Sequence, residues 1–334
     1  MDQILSALPP EERWPARIYV PVRREWSPVL KAIEIIEDDA ADSQWWEQLS
    51  LPRLAADGVL INLCNLAPLL HRRKLLMIHD AQFLFSDNSL PLQRRLGYKY
   101  LIPLMAKRSQ KIVTVSEFSK RTLDITKIAK SESISVIHNA ADHMLSVKGC
   151  PDLLESLHLE PNRFVLVFGS TKTYKNVQVV FDALTDPRLA DFKLIVVADE
   201  EAEIREAGLR PSPNAIFVGH IGDDRLKSLY ENATCIAFPS KTEGFGLPPL
   251  EAMLLGCPAI VAPAGAIPEV CHDAVLYASV NDPEEWASAI IGIAKNSELR
   301  ARKIAAGIAR SKHFTWVCAA QQLLALAKEL AIAA

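Results

Sequence analysis

The chain has 334 residues, 49% hydrophobic and 23% charged, a length that suggests two domains, each with its own core. With 37 Lys and Arg against 40 Asp and Glu, its formal charge of −3 excludes the basic footprint of bulk nucleic-acid binding. Six scattered cysteines, with neither C-x-x-C nor zinc spacing, predict small buried hydrophobes in a reducing compartment. The N-terminus has no basic, then apolar, leader, and no apolar run approaches the ~18 residues of a membrane span. A cytoplasmic protein is expected.

In chain order, aliphatic and β-branched runs predict strands at Arg17–Val22, Val59–Leu63, Lys74–His79, Lys111–Val115 and Ser135–Ile137. Apolar spacings of three and four predict helices over Ser43–Leu54 and Leu92–Ala106, and Ser116 is a candidate N-cap for SEFSKRTL. Lys148-Gly149-Cys150-Pro151 has the turn chemistry of a linker. Beyond it, strands are expected at Phe164–Phe168, Lys193–Val197, Ala215–Val218, Cys235–Phe238 and Ala259–Val261. Helices should start near Lys175, Glu200, Asp223, Pro248 and Pro283. Such alternation argues for parallel sheets covered on both faces, hence two doubly wound α/β domains across a cleft. The expected divisions are 1–148, 151–312 and a terminal helix over 313–334 that crosses between the domains. That last helix follows Phe314-Thr315-Trp316 and reads as apolar on more than one face, so it needs cover.

Glycine placement locates any nucleotide site. Only Gly58, Gly97 and Gly149 of the 13 glycines precede residue 150, so no glycine-rich phosphate loop can follow an early strand. In the second half, AFPSKTEGFGLPPLE runs from a strand, through a loop with Gly244 and Gly246, into a proline-started helix. Ligands of open α/β sheets bind beyond the carboxyl ends of the strands, where such loop amides and the positive helix end suit a diphosphate. Glu243 and Glu251, eight apart, suit hydroxyl donors, one on a sugar and one on a ribose. The spacing alone would fit an ordinary surface loop; the GFGLPP interior argues against that. FGSTKTYKN repeats the strand–glycine–loop–helix pattern and puts Lys175 at a helix start, a poor place for a cation unless an anion binds there. At ~4 Å and an effective dielectric near 20, a lysine–phosphate pair contributes about 4 kcal/mol before desolvation.

These two segments, with the following AGAIPEV, the terminal FTW, and VSEFSKRTL and VIHNAAD in the first half, resemble the family-4 glycosyltransferases of the GT-B fold. The resemblance runs from about residue 17 to the end and implies metal-independent transfer of a hexose from a GDP- or UDP-sugar, with retained configuration. No D-x-D occurs in the chain. The implied catalytic residues are His79, Lys175 and Glu243. The implied donor site comprises Gly169, Ser170, Lys175, Gly244, Phe245, Gly246, Leu247 and Glu251. Lys175 would hold the diphosphate, Glu251 the ribose, Glu243 with the Gly244–Leu247 amides the transferring sugar and phosphates, and His79 would face that sugar. No cofactor and no metal is expected; the partners are the nucleotide sugar and a glycan or lipid-linked acceptor. The resemblance places the protein in polysaccharide or lipopolysaccharide assembly.

Two departures from the family pattern stand out. Ser170 replaces a frequent arginine five residues before the lysine, so either Lys172 supplies the charge or the donor is held more weakly. The family opens with a strand and a glycine loop leading to a helix, and the chain begins about where that helix would be ending, so a protein starting further upstream or a different acceptor side is expected. A non-catalytic nucleotide-sugar-binding subunit is the alternative reading, and donor hydrolysis or transfer separates the two. A sugar-nucleotide epimerase would need acid/base carboxylates in the first domain, where no constellation supports it. PLQRRLGYKYLIPLMAKRSQK, with Arg94, Arg95, Lys99, Lys107, Arg108 and Lys111, either rests on an anionic membrane or is a solvated face over a buried apolar stripe.

Overall fold

The structure, a computed structural model, describes residues 9–12, 15–21, 33–39, 43–85 and 92–332. The described residues divide into two compact units, the second running from Ala140 to Phe314; the first takes those up to Phe85, those from Leu92 to Asn139 and the segment from Thr315 onward.

In the first unit, β1 (Arg17–Pro21) pairs in parallel with β2 (Glu34–Asp38). Val22, expected in the first strand, lies outside the described residues. The sequence reading missed β2 because Glu34-Ile35-Ile36-Glu37-Asp38 offers two adjacent apolar residues between acids and no period of two. A four-stranded parallel sheet follows in chain order, β3 (Leu60–Asn62), β4 (Lys74–Met77), β5 (Lys111–Thr114) and β6 (Ile134–Val136). Lys74 on β4 is fully buried, its ammonium donating to the carbonyls of Pro68 and Leu69. Burial, then the neighbouring charge of Arg108, brings that ammonium down to about 8.

Helix starts in this unit follow their caps: Ser43 Oγ accepts from Trp46 N at 3.2 Å, and Ser116 Oγ from Ser119 N at 2.9 Å. The Leu92–Lys107 helix buries Ile102, Met105 and Ala106 in the sheet's core and exposes Lys99, Tyr100, Leu101, Leu104 and Lys107. Lys111 leaves the expected basic face, since its ammonium pairs with Glu329 at 2.6 Å. The side chains of Arg94 and Arg95 lie outside the described residues. The terminal helix, Trp316–Ile332, belongs to this unit and buries Ala319, Ala320, Leu323, Leu324, Ala327 and Leu330. Those positions form one stripe at helical spacing, so the helix is covered along a single face rather than all round.

The second unit is a six-stranded parallel sheet. Its strands are β7 (Phe164–Gly169), β8 (Lys193–Ala198), β9 (Ala215–Gly219), β10 (Cys235–Phe238), β11 (Ala259–Val261) and β12 (Leu276–Tyr277). Counted within the unit, the order is 3-2-1-4-5-6, the doubly wound Rossmann arrangement. The central strands are apolar on both faces, as burial under helices on each side requires; Cys235 to Phe238 of β10 are all buried. Trp286 anchors this core, fully buried, with its indole N–H donating to the Ser279 carbonyl at 2.7 Å.

The expected linker is corrected by its hydrogen bonds. Lys227 Nζ donates to the carbonyls of Met144 and Val147 at 3.1 and 2.8 Å, and Cys150 N donates to Ser228 Oγ at 2.7 Å. Lys148–Pro151 is thereby fastened to the Asp223–Asn232 helix, and the boundary falls at 139/140. Cys235, Cys257 and Cys271 are buried; Cys64 and Cys318 are exposed, against the expectation for them. Burial pushes the thiols of Cys257 and Cys271 up to about 12, which leaves them inert. No helix among the described residues is long and apolar enough to cross a membrane.

Candidate functional site

In a doubly wound sheet the crevice forms where strand order reverses, because the loops leaving the two adjacent strands run to opposite faces. Here those strands are β7 and β10. The segment leaving β7 carries Gly169 to Lys175, from the strand's last residue, and the segment leaving β10 carries Glu243 to Leu247, up to the first residue of the next helix. The structure joins them: Lys175 Nζ donates to Glu243 Oε1 at 2.8 Å, with the side chains 26% and 12% exposed. The ammonium also lies 5.5 Å from the ring centre of Tyr174 and 5.6 Å from that of Phe238, both favourable cation–π placements.

Lys175 does not start a helix. It closes a short turn, Thr173–Lys175; Asn176 follows in the left-handed conformation at φ 55°, and the helix begins only at Gln178. The penalty expected for a cation at a helix start is therefore absent, and Glu243 supplies the countercharge. Asn176 holds the loops together, its side-chain amide donating to the carbonyls of Pro239 at 3.2 Å and Val280 at 2.8 Å. Lys241 N donates to the Tyr174 carbonyl at 2.7 Å, a further tie between the two loops.

A cavity of about 440 Å³ opens beside Lys175, lined also by Gly169, Ser170, Lys172, Asp199, Glu203 and Pro248 among others; Glu243 to Leu247 are not among its lining residues. Asp199 accepts from Thr171 N at 2.8 Å and so shapes the loop. Ala198, paired in register with Gly169, is held at φ 93°; such strain in a non-glycine residue is typical of functional sites. Gly246, at φ 103°, precedes the Leu247–Leu254 helix, and a side chain there would strike Ile267 Cδ1 at 2.4 Å.

The ring of Phe245 is buried edge-on against Phe314, centroids 5.7 Å apart, so only its backbone can meet a ligand. Gly244 is buried as well, and Leu247 is half-buried at the helix start. Glu251, on the same helix, is not among the residues lining the cavity. Its Oε2 accepts from the Tyr230 hydroxyl at 3.2 Å, and its Oε1 lies 4.0 Å from His143 Nε2. Burial pushes the Glu251 carboxyl up, the Tyr230 hydroxyl pulls it partly back, and the charge of Asp223 adds to the rise. An acid whose folded pKa exceeds its unfolded value contributes least stability at neutral pH and more as pH falls toward the unfolded value. Glu251→Gln should therefore raise the thermal midpoint at pH 7, with the gain shrinking toward pH 4, in melts compared with wild type.

His79 stands in the first unit, just beyond the end of β4. Its Nε2 meets the Leu63 carbonyl at 2.6 Å; a carbonyl only accepts, so Nε2 carries a hydrogen and donates. His79 N donates to Asn65 Oδ1 at 2.8 Å, and Ser119 Oγ donates to the His79 carbonyl at 2.8 Å. Neither Tyr230 nor His143 carries a motif signal in the sequence. Asn176 and Gly265 sit inside the quoted segments FGSTKTYKN and AGAIPEV, but nothing in one sequence marks them out.

Residues 154–310 match the family model described as Glycosyl transferases group 1. That segment holds every candidate site residue except His79. Over 232 residues the chain is 28% identical to O-antigen chain mannosyltransferase RfbU of Salmonella typhimurium, covering 68% of this chain and 62% of that protein. Over 220 residues it is 27% identical to O-antigen chain mannosyltransferase B of Escherichia coli, covering 59% and 58%. The chain thus spans about three fifths of the length of these curated relatives. Among solved structures, it is similar to Anabaena HepE in complex with UDP and glucose, with TM-score 0.69 and 20% identity, covering 87% of this chain and 84% of that one. Sucrose-phosphate synthase from Thermosynechococcus elongatus gives TM-score 0.63 at 20% identity, covering 78% and 68%. These likenesses give the fold, GT-B with Rossmann-like parallel-sheet units.

Proposed function

We propose that the chain is a retaining, metal-independent glycosyltransferase of family 4 that moves a hexose from a GDP- or UDP-sugar to a glycan or lipid-linked acceptor. The observation that carries this reading is the Lys175–Glu243 pair at the strand-order reversal, beside a cavity whose lining includes a second cation, Lys172. When a nucleotide sugar departs, negative charge grows on the β-phosphate and the anomeric carbon becomes oxocarbenium-like. Lys175, Lys172, the Gly244–Leu247 amides and the N-terminus of the Leu247–Leu254 helix are preset for that charge, which costs no reorganisation at the moment of reaction. The acceptor proton passes to the leaving phosphate oxygen, so no protein base is needed. Glu243 takes the sugar hydroxyls and Glu251 the ribose. His79 is assigned to the reaction by the family resemblance alone.

The names of the O-antigen relatives favour mannose as the sugar and polysaccharide assembly as the setting. The HepE complex with UDP and glucose supports a nucleotide-sugar donor, in the cytoplasm where such donors are held. The exposed Lys99, Tyr100, Leu101 and Leu104 support a peripheral contact with anionic lipid, and co-sedimentation with anionic but not neutral vesicles is expected. Ser170, where the family often has arginine, favours the second reading, a binding subunit without turnover. Both readings predict that a matching GDP- or UDP-sugar raises the melting point, by about 2.7 kcal/mol of stabilisation at a hundredfold excess over Kd. Only the enzyme releases nucleoside diphosphate. A chain that no UDP-, GDP- or dTDP-sugar stabilises would contradict both.

A further inference from the structure

A second cavity, about 670 Å³, opens in the second unit at the carboxyl ends of β11 and β12. Its volume lies in the range of built small-molecule sites. Pro263, Ala264, Ala278 and Val280 supply an apolar floor. Tyr277 is 40% exposed, and its hydroxyl donates to the His272 carbonyl at 2.6 Å, which fixes the orientation of the ring. Lys241, Asn281 and Glu285 add one cation, one amide and one carboxylate. Glu285 in turn accepts from Ser279 N at 2.7 Å, which holds the loop after β12 in place.

That inventory selects among ligand classes. The one lysine and the one glutamate among the lining residues balance, which suits a neutral ligand. A purely apolar ligand would make no use of the amide or of the two charges. A fixed aromatic face flanked by donors and acceptors of both kinds suits a neutral polyhydroxyl ring, whose C–H face packs on the aromatic while its hydroxyls both donate and accept.

Position points the same way. Lys241 lies two residues before Glu243, and Ala264 immediately precedes Gly265, whose backbone is packed on that of Glu243. The cavity therefore borders the segment assigned to the transferring sugar. We propose that it binds a neutral saccharide, namely sugar units of the glycan acceptor near the one being extended. This rests on the glycosyltransferase reading above.

The test uses the full chain with mannotriose, maltotriose and chitotriose as probes, read by saturation-transfer NMR, and with UDP and GDP as controls. At least one trisaccharide should bind. Its affinity should fall about tenfold in Tyr277→Ala, and likewise in Lys241→Ala, and by less in Tyr277→Phe, which keeps the ring but loses the hydroxyl's bond to His272. UDP or GDP binding and donor hydrolysis should be unchanged in all three variants, with melting curves confirming that each is folded. If no trisaccharide binds while a nucleotide does, the saccharide site is overturned and the donor reading stands. Binding that survives Tyr277→Ala and Lys241→Ala overturns it equally. If neither nucleotide nor trisaccharide binds, the glycosyltransferase reading fails and the saccharide site fails with it.

Discussion

Lys175→Ala should lower turnover of the donor sugar by on the order of 10²–10³, with the fold intact, because it removes the main preset charge at the leaving phosphate. Glu243→Ala should lower it by a similar factor. The two residues are separable by a second measurement. In the free protein they satisfy each other at 2.8 Å, so a bound phosphate has to share or displace the Glu243 carboxylate at Lys175. Glu243→Gln should accordingly bind UDP or GDP as tightly as wild type or more so, while nucleotide-sugar turnover falls. Lys175→Ala should weaken both. Calorimetry with the nucleoside diphosphate, set beside kcat for the nucleotide sugar, reads out the difference. Equal weakening of diphosphate binding in Lys175→Ala and Glu243→Gln would show that the pair acts only as a structural ion pair.

Gly265→Ala should be as damaging, although no side chain is lost. Gly265 sits at φ 62°, and a Cβ there would lie 2.4 Å from Glu243 N and 2.5 Å from Glu243 O. Both atoms are backbone, so relief requires moving Glu243 itself. The adjacent Ala266 N–H donates to the same Glu243 carbonyl at 2.9 Å, a bond that the movement would break. Conformational strain alone accounts for ~1–2 kcal/mol of lost stability; the displacement of Glu243 should add a fall in turnover approaching that of Glu243→Ala. Gly208 provides the control. It has a comparable φ of 81° with nothing within 4 Å of an added Cβ, so Gly208→Ala should cost stability while leaving turnover at wild-type level. A Gly265→Ala protein with wild-type turnover would show that Glu243 is not held by this contact.

The central strands were legible because buried parallel strands are unbroken apolar runs: Val165, Leu166 and Val167 in β7, Cys235 to Phe238 in β10. The site loops were legible because glycine and proline mark where backbone must turn at a strand end, and so Lys175 and Glu243 could be placed before their contact was known. What was not legible depends on partners distant in sequence. Tyr230 and Glu251 are 21 residues apart, and Asn176 and Val280 are 104 apart. No periodicity or spacing in one sequence reveals such pairs. The linker was misplaced for the same reason: Gly149-Cys150-Pro151 has turn chemistry, yet Ser228, 78 residues on, fixes it to the second unit. Phe245 was placed at the donor through its backbone amide; that its ring packs on Phe314 is a contact between distant residues that the sequence does not reveal.

The central claim, that the β7 and β10 loops together hold and activate a nucleotide sugar, is tested most directly by nucleoside-diphosphate release. The wild-type chain is incubated with UDP-, GDP- and dTDP-hexoses in EDTA, with and without a glycan acceptor. Release is expected from one donor class, unaffected by EDTA and slowed by on the order of 10²–10³ in Lys175→Ala. Release at the wild-type rate by Lys175→Ala, or none from any donor by the folded wild-type chain, would contradict it.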